Sequence, residues 1–269
     1  MNLRTGAKLL AIVAVLLSNT VGSAQAADYF QGKTINLIFG GGEGGGYDGY
    51  ARFLSAHYGR LIAGNPRILV RGAPGAGTLA AANYIYEVAA PDGTNIGTVG
   101  GGTATAELFK TPGIRFDPRK FIWLGSLTSD VSVGVSWHAS PIKTIQDTFE
   151  RQLIVGGGGP TSGNVLFPVV LNKLLGTMFK IITGYKSSAE AFLAVERGEV
   201  EGIMSWNYSS IRAAHYDLVR DHKLNLLVQF ALKKHNDLPD VPLVTDLAKS
   251  QEDREILNLI FSRQEMGRP

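Results

Sequence analysis

The chain has 269 residues, 45% hydrophobic and 18% charged, a balance that excludes intrinsic disorder and leaves room for two lobes of ordinary domain size. The formal net charge is +3 and the sequence pI about 9.0, yet no basic block occurs anywhere, so nucleic acid is not expected as a partner. There is no cysteine, which excludes disulfides and a lipid-anchored N-terminal cysteine.

At the N-terminus Arg4 and Lys8 precede an apolar run from Leu9 to Leu17, and Ala24-Gln25-Ala26 offers small residues for cleavage. This is the pattern of a secretory signal peptide over residues 1–26, with the mature chain starting at Ala27. A membrane-spanning helix needs roughly 20 apolar residues, more than this run supplies. Removing the signal leaves 24 Lys+Arg against 23 Asp+Glu, so the mature protein is nearly neutral. An extracytoplasmic location follows.

The mature chain alternates strands and helices. The apolar run Ile35–Phe39 reads as a buried strand, and seven residues, Gly40 to Gly46, carry six glycines after it. Apolar residues then recur at Tyr47, Tyr50, Ala51, Leu54, Tyr58 and Leu61, which is helical spacing. Strand Arg67–Arg71 follows, then a turn at Ala73–Gly77 and a helix with Thr78 as its expected N-cap. Pro91-Asp92-Gly93 stops that helix, Thr94–Val99 is a third strand, and Gly100–Thr103 leads into a short helical turn. Phe121–Leu127 and Val131–Trp137 are strand-like, and Thr144–Glu150 resembles a short helix.

The pattern then repeats. Strand Gln152–Val155 runs into a second glycine loop, Gly156–Asn164, before an apolar helix from Val165 to Leu175 that Gly176 ends. Strand Phe179–Thr183 precedes a helix from Ala189 to Arg197, opened by Ser187 with Glu190 at capping-box spacing. Strand Val200–Met204, helix Ser209–Asp221 and strand Leu224–Phe230 follow; Leu238–Pro242 is a proline-stiffened return, and Asp246–Gln264 reads as a last helix.

Two such sets imply two α/β lobes, with ligands expected beyond the carboxyl ends of the strands, where both glycine loops lie. Glycine makes up about 12% of the chain against a usual level of about 7%, and the excess sits in these loops. Glycines admit close approach of a ligand, and a helix start offers unpaired N–H groups and partial positive charge. Anion binding is the natural reading.

Catalytic signatures are weak. Gly40-x-Gly42-x-x-Gly45 matches the dinucleotide fingerprint, but Arg71 stands where an acidic residue belongs, which leaves an NADP-binding α/β enzyme as a minor reading. No Gly-Lys-Ser/Thr P-loop and no Gly-x-Ser-x-Gly elbow occurs, and His57, His138, His215, His222 and His235 lack metal-type spacing. No catalytic residue, metal or cofactor is expected. Asp48 in the first helical turn either complements the helix dipole or orients the loop. Tyr47, Thr103, Thr161, Ser162, Asn164, Ser205 and Asn207 are candidate polar contacts for a carboxylate, which needs donors.

Several pieces, in order along the mature chain, resemble one family. They are Gly44-Gly45-Gly46-Tyr47-Asp48 with Ala51-Arg52, Ala73-Pro74-Gly75-Ala76-Gly77, Ala90-Pro91-Asp92-Gly93, Gly156–Asn164, Gly198-Glu199-Val200-Glu201 and Leu238-Pro239-Asp240-Val241-Pro242. The family is that of the Bug (TctC-like) periplasmic receptors of tripartite tricarboxylate transporters. The resemblance implies a two-lobed, type II-like periplasmic-binding-protein (Venus flytrap) fold and a small organic carboxylate bound in the cleft between lobes. It further implies a monomeric receptor, without enzymatic activity, that hands its ligand to a two-subunit membrane permease.

Carried onto this chain, the family's binding positions fall on Gly44, Gly45, Gly46, Tyr47 and Asp48; on Gly101, Gly102 and Thr103; on Gly158, Thr161, Ser162 and Asn164; and on Ser205, Trp206 and Asn207. Lobe 1 is expected over residues 27–127 and lobe 2 over 128–235, with hinges near Leu127–Val131 and Gln229–Asp237. Residues 236–269 would return toward lobe 1, where the family continues for several tens of residues beyond the point matching Pro269. The chain departs from the family at Gly40-Gly41, where a proline and phenylalanine are common, and at Ser205-Trp206-Asn207. An extracytoplasmic sensor with a signalling partner would use the same cleft.

Overall fold

A computed structural model describes residues 29–128 and 130–267. The expected signal peptide lies outside them. Lobe 1 is built on a three-stranded parallel sheet in the order β2-β1-β3, with β1 at Thr34–Phe39, β2 at Arg67–Gly72 and β3 at Asn95–Thr98. The central strand buries Ile35, Leu37, Ile38 and Phe39 because both its faces are covered, while Thr34 is exposed and the Asn36 amide donates to Asn95 at 3.0 Å. Leu37 and Phe39 pack with Ala51 of α1 (Gly46–His57) on one side, and Ile38 packs with Leu79, Ala81 and Ala82 of α2 (Leu79–Glu87) on the other. A single helical turn, α3 (Gly102–Thr105), follows the third strand.

Lobe 2 has a five-stranded mixed sheet in the order β6-β5-β7-β4-β8. These strands are β4 (Ser132–Trp137), β5 (Leu153–Gly157), β6 (Phe179–Thr183), β7 (Gly202–Asn207) and β8 (Leu224–Phe230). β5 runs parallel to β6 and β7, whereas β4 runs antiparallel to β7 and β8. One face carries Val133, Val135, Ile203 and Trp206 against Phe192 and Val195 of α5 (Ser188–Glu196). The opposite face buries Leu153, Val155, Met204, Val228 and Phe230 beneath Phe167 and Leu171 of α4 (Gly163–Leu175).

Four local expectations give way to tertiary context. Residues 121–128 form no strand: Ile122 is 88% exposed and Leu124 71%, so the apolar run has no sheet edge to join. The helix expected from Ser209 to Asp221 breaks at His215 into α6 (Tyr208–Ala214) and α7 (Tyr216–Arg220), because the His215 ring turns in against Phe192 and Trp206. Thr144–Glu150 holds only a 3-10 turn at Gln146–Phe149. The last helix, α8, is Gln251–Phe261; it begins where the Ser250 hydroxyl accepts the Asp253 N–H, and a 3-10 turn, Ser262–Met266, continues it.

That helix belongs to lobe 2 by packing. Its Phe261 ring lies 4.7 Å from Phe167 and 5.4 Å from Phe230, and Leu257 and Ile260 join the same core. Only the turn after it reaches lobe 1, where Arg263 meets Gly101 and Gly102.

Candidate functional site

The carboxyl ends of β1 and β5 face each other across a cavity of about 450 Å³. Gly44, Gly45, Gly46, Tyr47 and Gly101 line it from lobe 1. Gly158, Thr161, Ser162, Asn164, Ser205, Trp206 and Asn207 line it from lobe 2. Asp48, Gly102 and Thr103 do not reach it: all three are buried behind the wall. Asp48 holds the first loop in shape, its carboxylate accepting the Gly44 N–H at 2.9 Å and pairing with Arg52 at 2.7 Å.

Three of the helices that start at this cavity, α1, α4 and α5, follow a glycine loop or a capping pair. At α4 the Ser162 hydroxyl turns back to donate to the Gly159 carbonyl and caps nothing, so the Gly163 and Asn164 amides have no acceptor among the described residues. The Asn164 side chain instead accepts the Gly158 N–H at 3.0 Å and fixes the loop. At α5 the expected capping pair forms: Ser187 accepts the Glu190 N–H at 3.1 Å, and the Glu190 carboxylate accepts the Lys186 N–H at 2.6 Å. The Ser188 and Ala189 residues of that first turn line the cavity. At α1 the Asp48 carboxylate, in the first turn, accepts the loop amide of Gly44 and sets a negative charge behind that helix start.

The lobes touch around the cavity. Gly42 N–H donates to the Lys186 carbonyl at 3.0 Å, and the Thr161 hydroxyl lies 2.6 Å from the Ala76 carbonyl and 2.8 Å from that of Gly77. This is a closed arrangement.

Among the described residues no aspartate or glutamate lines the cavity, whereas the cationic Lys186 and Arg263 do, with His215 beside them. Arg263 is 7% exposed, and burial pulls its guanidinium down to about 10, still charged at neutral pH. His215 is held below the ordinary histidine range by burial beside Phe192 and Trp206. Trp206 itself is 2% exposed, so it contributes a packed wall more than a free stacking surface. Ser205 sits in the left-handed region at φ 66°, a costly conformation for serine of the kind found at binding sites. The Asn207 amide donates to Asp130 at 2.9 Å, and the same carboxylate accepts from the Ser209 backbone and hydroxyl, so the end of β7 is anchored to the segment that enters lobe 2.

Thr78 is a correction. It does not cap α2: its backbone is left-handed at φ 83°, and its hydroxyl accepts the Gly100 N–H at 2.9 Å, tying two lobe 1 loops together at the cavity. Sequence reading also missed Arg263, Lys186 and Ser187. Ser187 was legible as a cap, but nothing in its spacing says that the cap faces a cleft. Among the described residues, no group of three or more His, Asp or Glu side chains could hold a metal ion.

A parallel sheet and a mixed sheet, each covered by helices and each sending its loops to one cavity, make the two-lobed α/β fold of periplasmic binding proteins. Several solved structures share it. MatC from Rhodopseudomonas palustris with bound malate superposes with a TM-score of 0.66 at 21% identity, covering 87% of this chain and 85% of that one. A second R. palustris protein, solved with adipate, gives 0.62 at 17% identity over 88% of both chains. The periplasmic binding protein BugD gives 0.64 at 18% identity, covering 87% of this chain and 83% of its own. No family model and no curated protein sequence matches the chain. Among the described residues no helix is long and apolar enough to cross a membrane.

Proposed function

We propose that the protein is a periplasmic solute receptor that captures a small organic carboxylate between its lobes and delivers it to a membrane transporter of the tripartite tricarboxylate type. One observation carries the reading: a closed, acid-free cavity onto which the open amides of α4 and the first turn of α5 converge. A carboxylate is an acceptor-only group, and such a cavity is a set of donors. The solved relatives of the same fold that hold malate and adipate support the same ligand class.

Binding and closure are linked in this reading. Lobe motion about the crossings near residues 127–131 and 229–237 exposes the cavity, and a ligand that touches both walls favours the closed state. The transporter then distinguishes loaded from empty receptor by shape. No chemical step is assigned to the chain, and none of its cavity residues forms a nucleophile–base pair among the contacts described.

The test is titration calorimetry of the mature protein against a panel of mono-, di- and tricarboxylates with NADP and inorganic phosphate as controls. Saturable binding of at least one carboxylate, with none of NADP, is the expected result. Binding of NADP alone would transfer the glycine loop to the enzyme reading.

A further inference from the structure

Only two charged side chains are buried among the described residues, Asp48 and Arg263. They are in opposite situations. Asp48 has its ion pair with Arg52. Among the described residues, Arg263 has no carboxylate within ion-pair distance, and its Nε has no hydrogen-bond partner. One terminal nitrogen donates to the Thr161 carbonyl at 3.2 Å, and the guanidinium carbon lies 5.6 Å from the centre of the Phe167 ring. A buried charge without a counter-charge is costly, by several kcal/mol in general terms, so its retention calls for a partner.

The space for that guanidinium is purpose-shaped. A methyl group on Gly102 would stand 2.1 Å from a terminal nitrogen of Arg263, so a side chain there would displace the guanidinium from its present place. The hydrogen bond to Thr161 places the guanidinium beside the start of α4, where the Gly163 and Asn164 amides lack acceptors. The helix start and the unpaired arginine are independent features, and they adjoin each other at one wall of the cavity.

We propose that Arg263 is the fixed counter-charge of the ligand: a carboxylate of the captured solute pairs with its guanidinium and shares the open amides at the start of α4. The proposal rests on the receptor reading and adds to it the residue that supplies the charge. It also defines the ligand as an anion whose neutral amide counterpart is rejected, since a buried donor set left unpaired discriminates strongly. Because Arg263 is carried by the turn after α8 and contacts both lobes, the same ion pair couples ligand to closure.

The alternative is a closure strut, in which the arginine holds Thr161 and Phe167 in place regardless of ligand. The two make opposite predictions for the empty protein. Titration calorimetry with malate, adipate and adipamide, together with thermal melts without ligand, is run on wild type, Arg263→Met and Arg263→Lys. We expect Arg263→Met to weaken whichever dicarboxylate the wild type binds by about 30-fold or more. The same substitution leaves the melting temperature of the empty protein unchanged or raises it, because it removes an unpaired buried charge. Arg263→Lys retains the charge without the fork and falls between the two.

An Arg263→Met protein that binds as well as wild type overturns the proposal and leaves the receptor reading standing. So does one that binds weakly only because its empty form melts earlier, with Arg263→Lys equally destabilised. If wild type binds neither acid nor any carboxylate of the wider panel, the receptor reading fails and the proposal with it.

Discussion

Gly159 of lobe 2 and Ala76 of lobe 1 meet backbone to backbone: a methyl group on Gly159 would stand 2.3 Å from the Ala76 carbonyl carbon, well inside any real contact. The Ala76 main chain cannot yield as a flexible side-chain tip would. The lobes can be this close only because one of the two residues has no side chain, so the contact reports directly on closure.

The substitution Gly159→Ala therefore acts on the open–closed balance. Each lobe folds as before, so the empty protein melts within a degree or two of wild type, but the closed form is sterically penalised. Apparent affinity falls in proportion to the lost closed population, by about tenfold or more. Calorimetry gives the affinity, and small-angle scattering with saturating ligand shows whether the particle stays extended. Unchanged affinity would mean that this contact is not part of the bound state.

Thr161→Val tests the polar half of the same seam. Valine keeps the volume and removes the hydroxyl that lies 2.6 Å from the Ala76 carbonyl and 2.8 Å from the Gly77 carbonyl. A single net hydrogen bond contributes about 0.5–1.5 kcal/mol, which corresponds to a two- to tenfold weaker ligand affinity with little change in the stability of the open form. Titration of the variant beside wild type decides it.

Asp48→Ala removes a carboxylate that organises the first glycine loop without entering the cavity. The Gly44 amide and the exposed Arg52 lose their acceptor, at a cost of about 0.5–1.5 kcal/mol in stability. Thermal or urea unfolding measures the loss, and the ligand contacts themselves stay in place, so affinity falls less than it does for the two seam variants.

His215 gives the stability a pH dependence of definite sign. Its folded-state pKa is lowered by burial, against a partial opposing effect of Glu196 and Asp217. The unfolded chain then takes up a proton near the ordinary value of 6.5 while the folded form still resists it. The His215 contribution is thus fully present above that value and is lost as the pH falls from there toward the folded-state pKa, below which it is constant. Melting curves across this range for wild type and His215→Phe check the point: the phenylalanine variant packs against the same rings and has a flatter profile.

Phe261→Ala probes where α8 belongs. The ring stands against Phe167 and Phe230 in the lobe 2 core, and such a truncation costs about 3–5 kcal/mol. Hydrogen exchange should show the loss of protection in β8 and α4, with the β1–β3 sheet unaffected.

The strands, helices and both glycine loops were readable because they rest on local pattern. Ile35–Phe39 is apolar whatever surrounds it, and a run of glycines before a helical stripe has few structural uses. Thr78 shows the limit: it looks like an N-cap in sequence, but a bond to Gly100, 22 residues on, outweighs the cap. The segment 121–127 has strand composition and no neighbour to pair with, a fact held in the fold and not in its residues. Arg263 gave no signal at all. It is one basic residue near the end of an amphipathic helix, and its meaning comes from Gly102 and Thr161, which lie more than 100 positions away in sequence.

The glycine contact at 159 has a further consequence for how such a protein can change over generations. Binding strength is the product of the fit inside the cavity and the ease with which the lobes shut, and the Gly159–Ala76 contact bears on the second factor. A methyl group gained or lost along that rim shifts the balance of open and closed forms while the polar groups that face the cavity stay as they are.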